Sequence, residues 1–570
     1  MRFVNNLKAK PPKITANLRE MVKNAAETYE GKALYTYIEN KETRTCSYRE
    51  FYNGIMSLGA AFESLGLEGK HVAVIGETHP YYTMTYLATV CCNGVIVPLD
   101  KEISEEQILN FLNFAEVDAV VYSPKFNDFF KRSEDALPKL SYFIPMSPAE
   151  DAVLDEKHLA FTELLSRGAT MLASGESSFK AKALDLEKMC AIIFTSGTTS
   201  SSKGVMLSHR NLISAVNASA LSMTYDDNNT FVSVLPVHHT YEMTCGQLGV
   251  IAIGASEFVN DSLKHVMKNF AAYKPNALIL VPLFLETMHK RIWDEIRRRK
   301  MEKKVRFAMK LNTALMALGI DIRHKLFGKI TAAFGGNLKS IVCGGAPISP
   351  DIIKDFYHFG ITVLEGYGIT ECAPLLAVNR AGKARFHSVG TPVEGVTIKI
   401  DKTEEEETGE ILAKGPNVML GYYKNPEATA EVFTEDGYFR TGDIGYMDED
   451  GYIFITGRKK NIILLSNGKN IFPEELEEYI KKIPGVLESV IVGRTPEGGT
   501  TAITAIIVPD KENEAVKALG DDAAVYDYFK KQLSEVNKHL PLYKRIIDLE
   551  IRKEEFEKNT SRKIKRFLIK

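Results

Sequence analysis

The sequence predicts an α/β protein: a large N-terminal domain of packed mixed sheets with helices, carrying a β-rich subdomain, and then a small α+β C-terminal domain. Three observations carry that expectation. Short apolar β-type runs alternate with helix-length stretches through the first half, the chain turns hairpin-rich after Gly415, and its texture changes again after GRKKN, Gly457 to Asn461. At 570 residues the chain is too long for one hydrophobic core.

Taken in order, the β-type runs are HVAVIGE (His71 to Glu77), GVIVPLD (Gly94 to Asp100), AVVYS (Ala119 to Ser123), CAIIFTS (Cys190 to Ser196), TFVSVLP (Thr230 to Pro236) and ALILVP (Ala277 to Pro282). Runs this apolar, joined by connections of helical length, predict largely parallel strands covered by helices on both faces. From Leu285 to Leu318 the pattern becomes one long helical stretch, with Leu285, Met288, Ile292 and Ile296 sharing a face. Lys290 to Lys310 holds ten Lys or Arg against three acidic residues. Such a helix either lies on an anionic membrane surface or presents a solvated face over a buried stripe.

After Gly415, Asp436-Gly437 and Asp450-Gly451 are turn signals between aromatic and β-branched residues, so hairpins are expected. Pro473 is placed for the first turn of a helix through Ile480. Strands near Ser489 to Val492 and Ala502 to Val508, and a helix near Tyr526 to His539, complete a domain from about Asn461 to Lys570. The expected division is therefore 1–456, a joint at 457–460, and 461–570.

Composition narrows the function classes. Hydrophobic residues make up 45% and charged residues 25%, which matches ordinary globular protein rather than a disordered or fibrous chain. With 71 basic and 73 acidic residues, no global field draws the chain to nucleic acid or to an anionic membrane, so any such attraction must be local. The seven cysteines sit mostly in apolar runs without metal-ligand spacing, which reads as buried, reduced thiols. The N-terminus has no apolar core of signal-peptide length and no run is long enough to cross a bilayer. A cytoplasmic protein is expected, with peripheral membrane contact through 290–310 left open.

The most informative stretch is IIFTSGTTSSSKGVMLSH, Ile192 to His209. A β-run ends in Thr195-Ser196-Gly197-Thr198-Thr199-Ser200-Ser201-Ser202-Lys203-Gly204, which offers hydroxyls, unobstructed backbone N–H groups and one ammonium. Those are the groups a polyphosphate needs. The Gly-Lys-Ser/Thr ending of a Walker loop is missing. By itself the stretch is equally a polar surface turn.

This stretch resembles the phosphate loop of the adenylate-forming superfamily, and further motifs of that family follow in order, from about Thr43 to Phe567. Ser200 and Ser202 stand where the common pattern has Gly and Pro. LPVHHTYE (Leu235 to Glu242) resembles the segment whose histidine, here His239, lines the acyl pocket. IVCGGAPIS (Ile341 to Ser349) resembles the glycine-rich strand end against adenine and the acyl group, with Gly344, Gly345 and Ala346. In EGYGITE (Glu365 to Glu371), the resemblance implies that Tyr367, followed by Gly368, stacks on adenine, that Thr370 bonds the α-phosphate and that Glu371 holds Mg²⁺. FRTGD supplies Asp443 as ribose ligand. GRKKNIILLSNGKNIFPEELE supplies Arg458 for the ribose and Lys460 as hinge. NTSRKIKRF (Asn559 to Phe567) resembles the terminal motif of the catalytic lysine, which register places at Lys563; the usual preceding glycine is Arg562, so Lys565 is a rival.

Within the superfamily, the helical stretch before FGKITAAFGGNLKSIVCGGAP, the segment Val378 to Arg380 and HSVGTPVEGVTIKI (His387 to Ile400) resemble bacterial long-chain fatty acid–CoA ligases. The resemblance implies ATP, Mg²⁺ and coenzyme A, a fatty-acid substrate of medium to long chain, an acyl-AMP intermediate and a mobile C-terminal domain. Two alternatives stand beside it: a carrier-protein thiol as acceptor, and an inactive nucleotide-binding homologue.

Overall fold

The computed structural model describes residues 10, 12–147, 154–195, 202–465, 469–495, 501–558 and 563–569. They divide into two compact units. The first comprises the residues up to Thr195 with Lys203–Thr397 and Lys414–Phe433; the second comprises Ile398–Ala413 and Thr434 onward. The β-rich segment thus groups with the C-terminal residues, whereas the expected division placed it before the joint at 457–460.

In the first unit a seven-stranded sheet runs in the order Gly421–Tyr422, Lys203–Ser208, Met189–Thr195, Val95–Leu99, His71–Ile75, Ala119–Tyr122, Tyr142–Pro145. Its centre is parallel, as the apolar runs predict, because strands covered on both faces have no polar face to keep wet. The phosphate-loop strands make the sheet mixed: Met189–Thr195 and Lys203–Ser208 form an antiparallel pair. The interior of this sheet is built from Ala73, Val97, Val120, Phe143 and Ile192, all fully buried.

Thr230–Ser233 and Ser256–Val259 join the first hairpin, Ala33–Glu39 with Glu42–Ser47, in a four-stranded sheet. A five-stranded sheet holds Ala277–Leu280, Ser340–Gly344, Thr362–Gly368, Leu375–Val378 and Thr391–Pro392 in that order. The first three are parallel, so the chain leaves Gly344 and Gly368 at the same edge. The expected single helix of 285–318 is instead two, Pro282–Arg298 and Glu302–Ala317. Lys300 adopts a φ of +55° between them, a left-handed turn that no α-helix continues through.

In the second unit the hairpin Phe439–Met447 with Ile453–Arg458 turns at Asp450-Gly451, where Gly451 has a φ of +80°. Gly437 supplies the other predicted turn at +79°. Pro473 opens the helix Pro473–Ile480. Strands Val486–Arg494, Ala502–Pro509 and Asp548–Ile551 form a sheet whose apolar side meets that helix and Asp522–Lys538. All seven cysteines are buried and none is disulfide-bonded.

Candidate active site

The hairpin that carries the phosphate loop sets Thr195 directly opposite Lys203, and the Thr195 hydroxyl donates to the Lys203 carbonyl at 3.4 Å. Ser196, Gly197, Thr198 and Thr199 lie outside the described residues. The Lys203 ammonium sits 4.5 Å from the ring centroid of Tyr422, a cation–π distance. Tyr422 reaches it because the short strand Gly421–Tyr422 pairs with Met206 and Val205 on the outer edge of the same hairpin.

The Tyr422 hydroxyl then donates to Glu371 Oε1 at 2.9 Å. Burial, and next the negative charge of Glu371, push the Tyr422 phenol far above its ordinary value, so it stays a donor. Gly421 is required at this corner: its φ is +142°, and a Cβ there would come within 2.7 Å of Thr429 Cγ2. Lys203, Tyr422 and Glu371 are therefore one connected set. Tyr422 is not among the sequence candidates; the pairing of a two-residue strand identifies it.

Glu371 and Thr370 occupy a single helical turn after the strand Thr362–Gly368, both half-buried. The Glu371 carbonyl also accepts from Met419 N–H at 2.8 Å, so two contacts fix the residue. Gly368 makes the approach to this turn: a Cβ there would lie 2.1 Å from the Pro374 carbonyl oxygen. Gly344 faces the Gly366 carbonyl in the neighbouring strand, where a Cβ would sit at 3.1 Å, and Gly345 follows with a φ of +88°. Gly345 and Ala346 are exposed at the strand end.

Gly344, Gly345, Tyr367 and Gly368 help to line one mostly apolar cavity. Tyr241, Cys245 and Gly249 form one wall. Their spacing of four residues matches the π-helix Tyr241–Leu248, whose wider turn keeps every fourth residue on a similar face. His239 stands just before this helix, its carbonyl accepting from Met243 N–H at 2.9 Å and its ring 4.0 Å from that of His238. It is not part of the cavity wall.

The opposite side of the π-helix is held by a buried polar network. Ser233 Oγ donates to Glu242 at 2.7 Å, and Gln247 Nε2 donates to Glu242 at 3.0 Å and to Glu257 at 2.8 Å. Tyr35 donates to the Gln247 carbonyl oxygen at 3.0 Å. Burial raises both carboxyls, Glu242 to about 7.

In the second unit, Asp443 and Arg458 are cross-strand partners, and Arg458 Nε donates to Asp443 Oδ1 at 2.8 Å. Lys460 and Lys563 lie in the field of the same pair. Desolvation, then the Arg458 guanidinium, lowers Lys460 to about 8, with Asp443 pulling upward. Lys563 is lowered for the same reasons in the same order, although the residue as a whole is exposed. Arg458, Lys460 and Lys563 thus all lie in the field of Asp443, and Glu474 also acts on Lys460. Lys565 is 3.9 Å from Glu557, and Arg566 pairs with the buried Glu477, tying the tail to the C-terminal sheet. Arg562 lies outside the described residues.

A divalent metal fits Glu371. Mg²⁺ is commonly held by one or two carboxylates plus phosphate oxygens and water, and Glu371 offers a carboxylate with one oxygen engaged by Tyr422. Among the described residues no group of three or more His, Cys, Asp or Glu forms a complete protein cage.

Comparison with known proteins agrees with this geometry. Residues 22–423 match the AMP-binding enzyme family, and 460–570 match the AMP-binding enzyme C-terminal domain. The chain is 28% identical to long-chain-fatty-acid–CoA ligase 5 of Rattus norvegicus over 83% of this chain and 72% of that one. It is 29% identical to the long-chain-fatty-acid–CoA ligase FadD15 of Mycobacterium tuberculosis, over 79% and 75%. Its fold is similar to that of the anthranilate CoA ligase AuaEII in complex with anthranoyl-AMP, at a TM-score of 0.76 and 17% identity, covering 98% of this chain and 97% of that one. Adenylate-forming ligases use ATP, Mg²⁺ and coenzyme A. The chain belongs to the AMP-binding enzyme family, the family of adenylate-forming acyl-CoA ligases.

Proposed function

We propose that the protein activates a fatty acid of medium to long chain in two half-reactions. A carboxylate oxygen of the acid attacks the α-phosphorus of ATP, the bond to the bridging β-oxygen breaks, and acyl-AMP and pyrophosphate form. The thiol of coenzyme A then attacks the acyl carbon, the bond to the AMP oxygen breaks, and acyl-CoA, AMP and a proton are released. The observation that carries this reading is the cavity, which Tyr367 and the glycine edges line together with mostly apolar side chains.

A carboxylate is a poor electrophile because its leaving group would be oxide, and exchange for AMP removes that obstacle. Thr195, the loop after it and Lys203 would hold the departing pyrophosphate, with Lys203 kept in place by the Tyr422 ring. Tyr367 would stack on adenine, Thr370 would bond the α-phosphate, and Asp443 with Arg458 would hold the ribose. Mg²⁺ at Glu371 would neutralise phosphate charge. Lys563 would bridge carboxylate and α-phosphate, offsetting repulsion as two anions meet. Its place in the field of Asp443 and Arg458, while Lys565 lies near Glu557, supports the register that makes Lys563 the catalytic lysine. Rotation about Lys460 would withdraw Lys563 for the second step. His239, at the start of the wall helix, would support the acyl pocket without lining it.

The test is pyrophosphate release across carboxylic acids of increasing chain length, with coenzyme A, with a carrier-protein thiol, and with neither. Release that rises with chain length and turns over only with coenzyme A supports the reading. Turnover only with the carrier protein, release only with short aromatic or dicarboxylic acids, or nucleotide binding without release would each overturn it.

A further inference from the structure

The basic helical region carries a surface that the ligase reaction does not use. In Pro282–Arg298 the apolar stripe is turned inward: Leu285, Met288 and Ile296 are buried. Glu302–Ala317 behaves differently. Its inward side, Val305 and Met309, packs on Trp293 and Phe327, yet large apolar residues also stand on its outward side. Phe307 is 68% exposed, Leu311 41% and Leu318 75%. At 100° per residue, Phe307, Leu311, Ala314 and Leu318 fall within a sector about 60° wide, roughly opposite Val305 and Met309.

Charge frames this sector. Lys303 and Lys310 lie along one border and Lys304 along the other, by the same geometry. The three acidic residues of the stretch are spent locally: Asp294 pairs with Arg297, Glu295 with Arg298 and Arg299, and Glu302 with Arg306. Lys300, Lys303, Lys304 and Lys310 have no acidic partner among the described residues. Of the excess of seven positive charges between Lys290 and Lys310, these four therefore stand unneutralised on the surface.

We infer that the outward face of Glu302–Ala317, continued by Leu318, docks on an anionic lipid bilayer. Exposed aromatic and aliphatic side chains bordered by lysines are what an interfacial helix presents to the headgroup boundary: the apolar residues enter the acyl edge while the ammonium groups remain with the phosphates. A second copy of this chain is the poorer occupant, since a two-fold interface would set two strongly positive patches against each other. Among the described residues no helix is long and apolar enough to span a membrane, so the contact is peripheral.

The full chain is tested by flotation with vesicles of phosphatidylcholine alone and of phosphatidylcholine with phosphatidylglycerol. Trp293 gives an independent readout through energy transfer to dansyl-labelled lipid: it is the single tryptophan of the sequence and lies directly under this helix, with Arg306 4.7 Å from its ring. Binding is expected only to the anionic vesicles and should weaken with salt. The triple variant Lys303→Glu, Lys304→Glu, Lys310→Glu should lower it by about 100-fold or more. The variant Phe307→Ser, Leu311→Ser, Leu318→Ser should abolish insertion while pyrophosphate release from a soluble acid is unchanged. The inference is overturned if neutral and anionic vesicles bind alike, if both variants bind as the parent does, or if the serine variant instead dissolves a dimer seen by light scattering. Vesicle binding needs no turnover, so this result and that of the ligase assay are separable.

Discussion

The Tyr422 hydroxyl donates a 2.9 Å hydrogen bond to the carboxylate of Glu371, and the ring of the same tyrosine lies 4.5 Å from the Lys203 ammonium. One side chain thus couples the residue read as the metal ligand to the cation read as the phosphate anchor. A hydrogen bond to a charged group is worth about 1.5–3 kcal/mol. Tyr422→Phe keeps the ring and its cation contact but frees the carboxylate. The expected outcome is a fall of about 10-fold or more in kcat/KM for ATP and a higher Mg²⁺ concentration at half-maximal rate, with unfolding stability lowered by no more than about 3 kcal/mol. An unchanged Mg²⁺ titration would show that Tyr422 does not position Glu371.

Lys563 and Lys565 are two residues apart but have different surroundings: Asp443 and Arg458 act on the first, and Glu557 lies by the second. Lys563→Ala removes the charge proposed to sit between two anions, so acyl-AMP formation should fall by about 10² to 10³. Thioester formation from supplied acyl-AMP should largely survive. Lys565→Ala should leave both half-reactions near the parent rate. Single-turnover assays of each half-reaction separate the outcomes, and the reverse pattern would move the catalytic role to Lys565.

These two cases mark where the sequence was legible and where it was not. The phosphate-loop strands, the YGITE turn and the Asp450-Gly451 hairpin are readable because each is local: apolar runs, glycines at positive φ and turn dipeptides act over a few residues. The antiparallel direction of Met189–Thr195 against Lys203–Ser208 was not, because an apolar strand does not encode which way its partner runs. Tyr422 was invisible for a related reason, since its role comes from a strand of two residues brought in from over 200 positions away. The helical stretch illustrates a third limit. Periodicity located the buried stripe of Pro282–Arg298 correctly, but both sides of Glu302–Ala317 carry apolar residues, and only the packing shows which side is covered.

The Glu242–Gln247–Glu257 network makes stability depend on pH with a predictable sign. Burial raises the Glu242 carboxyl from the ordinary value of 4.5 to about 7. Between those values the unfolded chain has lost a proton that the folded chain keeps, so the folded state binds more protons and stability falls as pH rises through that window. For one proton the slope is at most about 1.4 kcal/mol per pH unit. Glu242→Gln retains a neutral side chain of similar shape and removes the titration. Urea unfolding of both proteins from pH 4 to 8 should give parent and variant curves that separate progressively above about pH 5, with the parent losing more stability. Parallel curves would mean that Glu242 is ionised in the folded protein.

Gly249 offers a direct test of what the cavity accepts. It follows Tyr241 and Cys245 along the wall, and a Cβ placed on it would meet only the Thr244 carbonyl oxygen, at an ordinary 3.5 Å. Its φ is −63°, so a larger residue is not strained there. Leu at this position therefore grows into the cavity rather than into the backbone. If the cavity holds the acyl chain, Gly249→Leu excludes methylene groups that each contribute about 0.8 kcal/mol when buried. The expected outcome is a shift of the kcat/KM profile toward shorter acids, with at least about a 10-fold loss for the longest acid the parent accepts and little change for the shortest. The KM for ATP should not move, because the nucleotide is proposed to sit on Tyr367, Thr370 and Glu371 and not on the π-helix that leads to Gly249. A uniform loss across all chain lengths would instead mean that the acyl chain takes another route and that the cavity serves some other group.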